Sequence, residues 1–376
     1  MFNLEFQELI IIAQEKNHKI NYSFDLIYEF IDHNDNFVLW GASNNGIVAK
    51  KHLEKRGKNV DFFVDSDPQK KNTLLDNKPV KHPSQIKRFN NKIIICSSYW
   101  QSISQQLDIR YKLSFYNDFI VAPHIIECDN NFQNYFRENF IRFLNVFDLL
   151  EDEESKKKYY DILKLRLGFN RFDLSAINYA MHRSIYEQYF HPLVKPENSD
   201  IIVDGGAYIG DTIHEIIKRE VCFSKIYAFE PDNDNFEKLL ENSKKIKEVY
   251  SINAGLYNKT AKLNFISEGT PASKIEEFNG GIDNITINVN SIDDFFSDKE
   301  KPDLIKMDIE GAEKEALIGA KNLIMEYRPK LQICLYHEPS HLCEIPLMIK
   351  EWVHDYKLYI GHHSNYLTET VLYAKI

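Results

Sequence analysis

"IIVDGGAYIGDT", residues 201–212, runs three apolar residues into Asp204, then Gly205, Gly206 and Gly210, and closes on Asp211 and Thr212. A short apolar run that ends in glycines and then gives way to a helical pattern reads as a buried parallel strand, a tight turn and a helix that begins near Asp211. The next apolar run, "KIYAFEP", ends in Glu230, 26 residues on from Asp204, which puts that carboxylate at the same carboxyl edge of the sheet. There it can accept hydrogen bonds from both hydroxyls of a ribose. Two strand ends of this kind specify a nucleoside site. Dinucleotide sites use G-x-G-x-x-G to set a helix N-terminus against a pyrophosphate, which an adjacent aspartate would repel. Here Asp204 precedes the glycines, so the corner suits a ligand without phosphate that carries cationic groups. S-adenosylmethionine, with its ammonium and sulfonium, has that chemistry. In this reading Asp204, Gly205, Gly206, Tyr208, Gly210, Asp211, Thr212 and Glu230 form the donor site, and Asn253, after the third strand, either touches the adenine end or stabilises its turn.

Later strands carry further chemistry to the same edge. "PDLIKMDIEGAE" reads as a buried strand that ends at 306–308, a turn at Gly311 and one helix through "EKEALIGAKNLI", so that Asp308 and Glu310 project near the donor. "PKLQICLYHEP" is the next strand and presents His337 and Glu338, while "YKLYIGHH" and "TETVLYAKI" form a closing antiparallel hairpin that carries His362 and His363. Methyl transfer to a hydroxyl needs a group that removes its proton. His337, with an ordinary pKa near 6.5, Asp308 and Glu310 are the candidates for that catalytic work. Asp308, Glu310 and His337 are also a set that could hold a divalent metal. The bland reading of Glu310 and Glu313 is complementarity to a helix dipole, and that of His337 is a hydrogen-bonded structural histidine.

"VDGGAYIGDT", "YAFEPDNDNFEKL", "IKMDIEGAEKEALIGA" and "YHEPSHLCEIP" resemble, in order, the motifs of the FkbM-type methyltransferase family. The resemblance covers residues 199–376 and is most specific in the K-x-D-x-E-G-A-E segment. It implies the class I fold with a doubly wound seven-stranded sheet, S-adenosylmethionine as donor, and O-methylation of a sugar or other small polyol. It also implies that "YEQYFHP", residues 186–192, lies beside the donor pocket.

Upstream, "VLWGASNNG" and "VDFFVDSDP" outline a smaller Rossmann-like α/β layer, with Gly41 and Gly46 at a strand-to-helix turn and Asp65 at the second strand end. This is either a second site, for a nucleotide or nucleotide sugar, or a layer that serves assembly alone. The expected domains are therefore 1–124 (Rossmann-like), 125–198 (helical connector, from apolar residues three and four apart) and 199–376 (methyltransferase). The 376 residues suffice for two domains. A net charge of −10 argues against a general nucleic-acid binder. Five scattered cysteines without a C-x-x-C pair fit a reducing cytoplasm better than a disulfide framework. The amino-terminal "MFNLEFQELIIIAQEKN" has glutamates where a signal peptide has positive charge, and no run reaches the roughly 18 to 20 apolar residues of a membrane span. The sequence thus points to a cytoplasmic S-adenosylmethionine-dependent O-methyltransferase acting on a saccharide or nucleotide-linked sugar in glycan or glycoconjugate synthesis. A nucleoside-sensing protein without turnover, and an NAD-dependent sugar oxidoreductase that uses the first layer, are the alternatives.

Overall fold

The computed structural model describes residues 23–97, 99–114, 117–121, 131–166, 184–266, 274–275, 284–364 and 368–376. The amino-terminal stretch, Cys128 and the parts of the expected connector at 125–130 and 167–183 lie outside these. The chain forms two compact units, Met1–Asn134 with Leu163–Ala180, and Tyr135–Ile162 with Met181–Ile376.

In the first unit, strands Asn36–Trp40, Asn59–Val64 and Lys92–Ile95 form where the apolar runs stand, because Val38, Leu39, Phe63, Val64 and Ile93–Ile95 are all buried. Asn36–Trp40 lies between the other two and is parallel to both. Its chain neighbours in the sheet thus fall on opposite sides, a topological switch point of the kind at which open α/β sheets bind ligands. Helix Asn44–Lys55 follows the turn at Gly41.

The second unit is built on a seven-stranded sheet. Its strands, in chain order, are Ile201–Gly205, Lys225–Phe229, Val249–Ile252, Leu304–Met307, Lys330–Cys334, Lys357–His362 and Thr370–Lys375. They lie in the order three, two, one, four, five, seven, six. The last strand runs antiparallel to both of its neighbours, as the closing hairpin in the sequence requires. Strands one and four sit side by side in the middle, with Asp204 opposite Lys306. That register brings the glycine turn and the Asp308 turn together. Ile202, Ile226 and Leu304 pack with Ile213, Ile216 and Leu239 of the two following helices, and each such buried side chain contributes ~1.5–3 kcal/mol.

Two elements differ from the sequence reading. The single helix expected through "EKEALIGAKNLI" is two, Glu313–Ile318 and Lys321–Tyr327. Between them Gly319 passes so close to Tyr257 that a Cβ would meet the Tyr257 carbonyl oxygen at 2.1 Å. The stretch 135–162, read as connector, belongs to the second unit: Tyr159 donates to the Leu342 carbonyl, and Tyr135 and Arg142 both donate to Glu344. A smaller sheet includes Gly255–Leu256 and Asn284–Asn290. Among the described residues no helix is long and apolar enough to cross a membrane, and Cys96, Cys222, Cys334 and Cys343 are free thiols.

Candidate active site

A cavity of about 820 Å³ opens at the carboxyl edge of the second unit's sheet, within the size range of small-molecule sites. Gly206, Tyr208, Asp211, Thr212 and Glu230 line it together with Lys306, Asp308, Glu310, Tyr189, Tyr336 and Glu369. Leu256, Ile287 and Pro231 give it apolar wall.

The glycine turn is shaped by contact with the neighbouring strand end. Gly206 has a φ of +72°, and a Cβ there would stand 1.8 Å from the Asp308 carbonyl oxygen, so only glycine fits. Tyr208 also takes a positive φ, 49°, and its N–H donates to Glu230 Oε2 at 2.9 Å. The other Glu230 oxygen accepts from the Asp232 N–H at 2.9 Å. Each oxygen keeps a lone pair for a ligand, since an ionised carboxylate offers about four acceptor sites. Burial pushes the Glu230 carboxyl up to about 7 against the lowering effect of these two N–H bonds.

Asp204 takes a different place from the one its sequence position indicates. It is 1% exposed, outside the cavity lining, and ion-paired at 2.9 Å with Lys306, which is itself 3% exposed. The Lys306 ammonium also donates to the Gly205 and Gly206 carbonyls at 3.2 and 2.9 Å. Burial alone would lower its pKa, but Asp204 and Asp308 outweigh that and hold it above the ordinary lysine value. The negative charge at this corner is therefore already compensated, and the pair braces the turn, with Lys306 itself reaching the cavity lining. Gly205 and Gly210 likewise shape the turn without lining the cavity, and Gly210 caps helix Asp211–Lys218. Asn253 lies outside the lining too and donates to Asn233, which is in it.

Asp308 is held by two phenols. Tyr189 donates to Oδ2 at 2.8 Å and Tyr336 to Oδ1 at 2.9 Å. Glu310, in a left-handed turn at φ 55°, is half-exposed, and burial, with Asp308 and Glu313 adding to it and His337 opposing, raises its carboxyl. His337 stands behind this wall, outside the cavity lining. Its Nδ1 pairs with Glu313 Oε1 at 2.8 Å, while Nε2 lies 3.6 Å from Asp308 Oδ1 and 3.5 Å from Glu310 Oε2. Burial opposes its charge, yet Glu313 and the other two carboxylates prevail and take it up to about 9. His337 is thus engaged by Glu313, which is a different setting from the free base the sequence points to. His362 and His363 face Thr370 and Tyr373 respectively.

Sequence reasoning missed Lys306, Tyr336 and Glu369, while it weighed Glu313 for a helix-dipole role and placed the stretch holding Tyr189 beside the donor pocket. Lys306 had a signal, a lysine within the otherwise apolar "LIKM", which nothing but a buried counter-charge accommodates. Glu369, pushed up to about 7 by burial and by Asp308, precedes the last strand and had none.

Comparison with known proteins bears directly on this edge of the sheet. The family described as the Methyltransferase FkbM domain matches residues 204–358, which hold Glu230 and Asp308 of the cavity lining but not Tyr189 or Glu369. Residues 204–358 therefore match an FkbM methyltransferase domain. The Hexuronic acid methyltransferase AglP of Haloferax volcanii is 31% identical over 137 residues, covering 35% of this chain. The chain spans about half, 54%, of the length of that curated relative. The crystal structure of Methyltransferase FkbM from Methylobacillus flagellatus matches over 99% of both chains with a TM-score of 0.71 at 20% identity. It therefore shares the fold of both units, the FkbM domain and the layer before it.

In the first unit, the residues read as a second nucleotide site are brought together but are already engaged. Gly41, at φ +128°, turns against the Cys96 carbonyl, and Gly46 packs against Gly41 from the following helix. Asp65 accepts from the Ala42 N–H at 3.1 Å, from Lys70 at 3.0 Å and from the Asp67 N–H at 2.9 Å.

Proposed function

We propose that the FkbM domain binds S-adenosylmethionine in this cavity and transfers its methyl group to a hydroxyl of a saccharide or nucleotide-linked sugar. The observation that carries the reading is the pairing, across one cavity of an FkbM domain, of a nucleoside-type carboxylate, Glu230, with a fixed carboxylate, Asp308. The name of the Haloferax relative supports a sugar as acceptor.

The residues fit the donor. Glu230 has acceptor capacity left for two ribose hydroxyls, Leu256, Ile287 and Pro231 offer an apolar slot for a base, and the carboxylates of Asp308, Glu310 and Glu369 suit cationic groups. Bound S-adenosylmethionine supplies a methyl on a sulfonium whose departing thioether needs no acid from the protein. The chain's own work is alignment and proton removal. Tyr189 and Tyr336 leave Asp308 no freedom to rotate, so its carboxylate presents a fixed direction to an acceptor hydroxyl. Positioned proton removal is worth roughly 10²–10⁴-fold. Glu369 and Glu310 line the cavity beside it, and His337 pairs with Glu313 next to them.

The test is calorimetry with S-adenosylmethionine and with NAD, followed by release of S-adenosylhomocysteine and a one-methylene mass gain on candidate glycans and nucleotide sugars. Binding of the donor with no acceptor-dependent release across them would favour a sensor over an enzyme.

A further inference from the structure

Several buried polar atoms of the second unit lack a hydrogen-bond partner, and they gather around His337: its own ring nitrogens, Glu313 Oε2 and His341 Nδ1. His337 has a side chain only 9% exposed, and its Nε2 has no hydrogen-bond partner. The ring is not loosely placed. Glu313, fully buried, holds Nδ1 at 2.8 Å and has its own position fixed by the Ile309 N–H at 2.9 Å. A carboxylate on one imidazole nitrogen is the arrangement that orients the other nitrogen toward a metal. Here the other nitrogen points at two carboxylates, Asp308 and Glu310, at 3.6 and 3.5 Å. Both gaps exceed a hydrogen bond. They approach the about 3.0–3.4 Å that separates ligand atoms gathered around one small divalent cation.

We propose that Asp308, Glu310 and His337 Nε2 hold one divalent cation at the wall of the cavity. Asp308, Glu313 and His337 have ligand atoms within 4.8 Å of one another, and that trio is the more compact set. Glu313 is nevertheless the orienting partner rather than a ligand, because its oxygens already face Ile309 N–H, His337 and His341. Glu310 takes its place: its Oε2 lies 3.5 Å from Nε2, and its half-exposed side chain is free to turn toward the cation when one binds. Asp308 has the support expected of a ligating carboxylate, one tyrosine hydroxyl on each oxygen. Oxygen and imidazole donors with open positions toward the cavity suit the Mg²⁺, Mn²⁺ or Zn²⁺ class.

The inference stands on this geometry and not on methyl transfer. Its test is Mn²⁺ binding to the chelator-treated full chain, followed by electron paramagnetic resonance, with donor calorimetry run separately on the same samples. One Mn²⁺ per chain is expected, with nitrogen coupling in the spectrum. E310Q and D308N should each weaken it by at least roughly tenfold, H337Q should remove the nitrogen coupling, and E315Q, half-buried on helix Glu313–Ile318 and outside the proposed ligand set, should bind as the unaltered protein does. No saturable uptake below millimolar Mn²⁺, uptake unchanged in both E310Q and D308N, or a spectrum without nitrogen coupling would overturn the proposal. A protein that takes up Mn²⁺ but not S-adenosylmethionine would instead sink the donor reading and leave this one standing.

Discussion

Lys306→Met is the change that most directly tests how the glycine turn is held. The substitution keeps the length of the stem and removes the charge. Asp204, 1% exposed, then loses the ammonium at 2.9 Å, and the Gly205 and Gly206 carbonyls lose their shared donor. Removing one partner of a buried pair leaves an uncompensated charge and typically costs about 3–5 kcal/mol. That is a large part of the roughly 5–15 kcal/mol that holds a domain together. The predicted readout is a fall of this size in unfolding free energy by urea titration. Adding Asp204→Asn removes the stranded charge, so the double variant should recover more than half of the loss, a coupling that two independent sites would not show. The pH dependence has a definite sign. The lysine is held above its ordinary value, so its contribution is fully present below about 10.4 and fades only as pH climbs through the folded value. The deficit of Lys306→Met should therefore be the same at pH 6 and pH 9. A loss under about 1 kcal/mol, or a double variant equal to the sum of the singles, would refute the bracing argument.

Glu230→Gln should weaken S-adenosylmethionine binding at least roughly tenfold by calorimetry, since charge-assisted bonds contribute ~1.5–3 kcal/mol each. In the unaltered protein the carboxyl sits at about 7, so donor affinity should fall as pH drops through that value, and the Gln variant should lack the dependence. The same raised value means that the folded state binds the extra proton, so Glu230 makes the protein less stable as pH rises from about 4.3 to about 7. Tyr336→Phe frees one side of Asp308 and should lower kcat by roughly ten- to hundredfold with donor affinity unchanged, read as S-adenosylhomocysteine release. Asp308→Asn should abolish most turnover while the chain still folds; full activity would remove Asp308 from the chemistry.

What the sequence discloses and what it hides follow from how far each residue's partner lies along the chain. The strands are legible because each buries a contiguous apolar run, and the glycine turn because its backbone shape is local. The charge balance of the site is not local. Lys306 meets Asp204 only because strands one and four pair in one register, and Asp204 alone reads as a free acid. Tyr189 and Tyr336 look like packing aromatics until the fold sets Asp308 between them. His337 reads as a base at its ordinary pKa, whereas Glu313, 24 residues before it, pairs with its Nδ1.

The two units repeat one device, and the difference between the copies separates a ligand carboxylate from a structural one. In both, the acid at the end of the second strand accepts an N–H from the glycine turn after the first: Glu230 from Tyr208, Asp65 from Ala42. Glu230 faces a cavity, and among the described residues no ammonium is hydrogen-bonded to it. Asp65 is bound by Lys70, which also donates to the Ala42 carbonyl and so closes the turn on itself. A ribose would have to compete with that ammonium for the same oxygen. Asp65→Ala should therefore loosen the first unit by ~1.5–3 kcal/mol, seen as faster hydrogen exchange at the Ala42 amide, and leave S-adenosylmethionine affinity untouched. Glu230→Gln should do the reverse to affinity. If Asp65→Ala left the Ala42 amide as protected as before, the acid would be free for a ligand after all, and a nucleotide in the first unit would regain its footing.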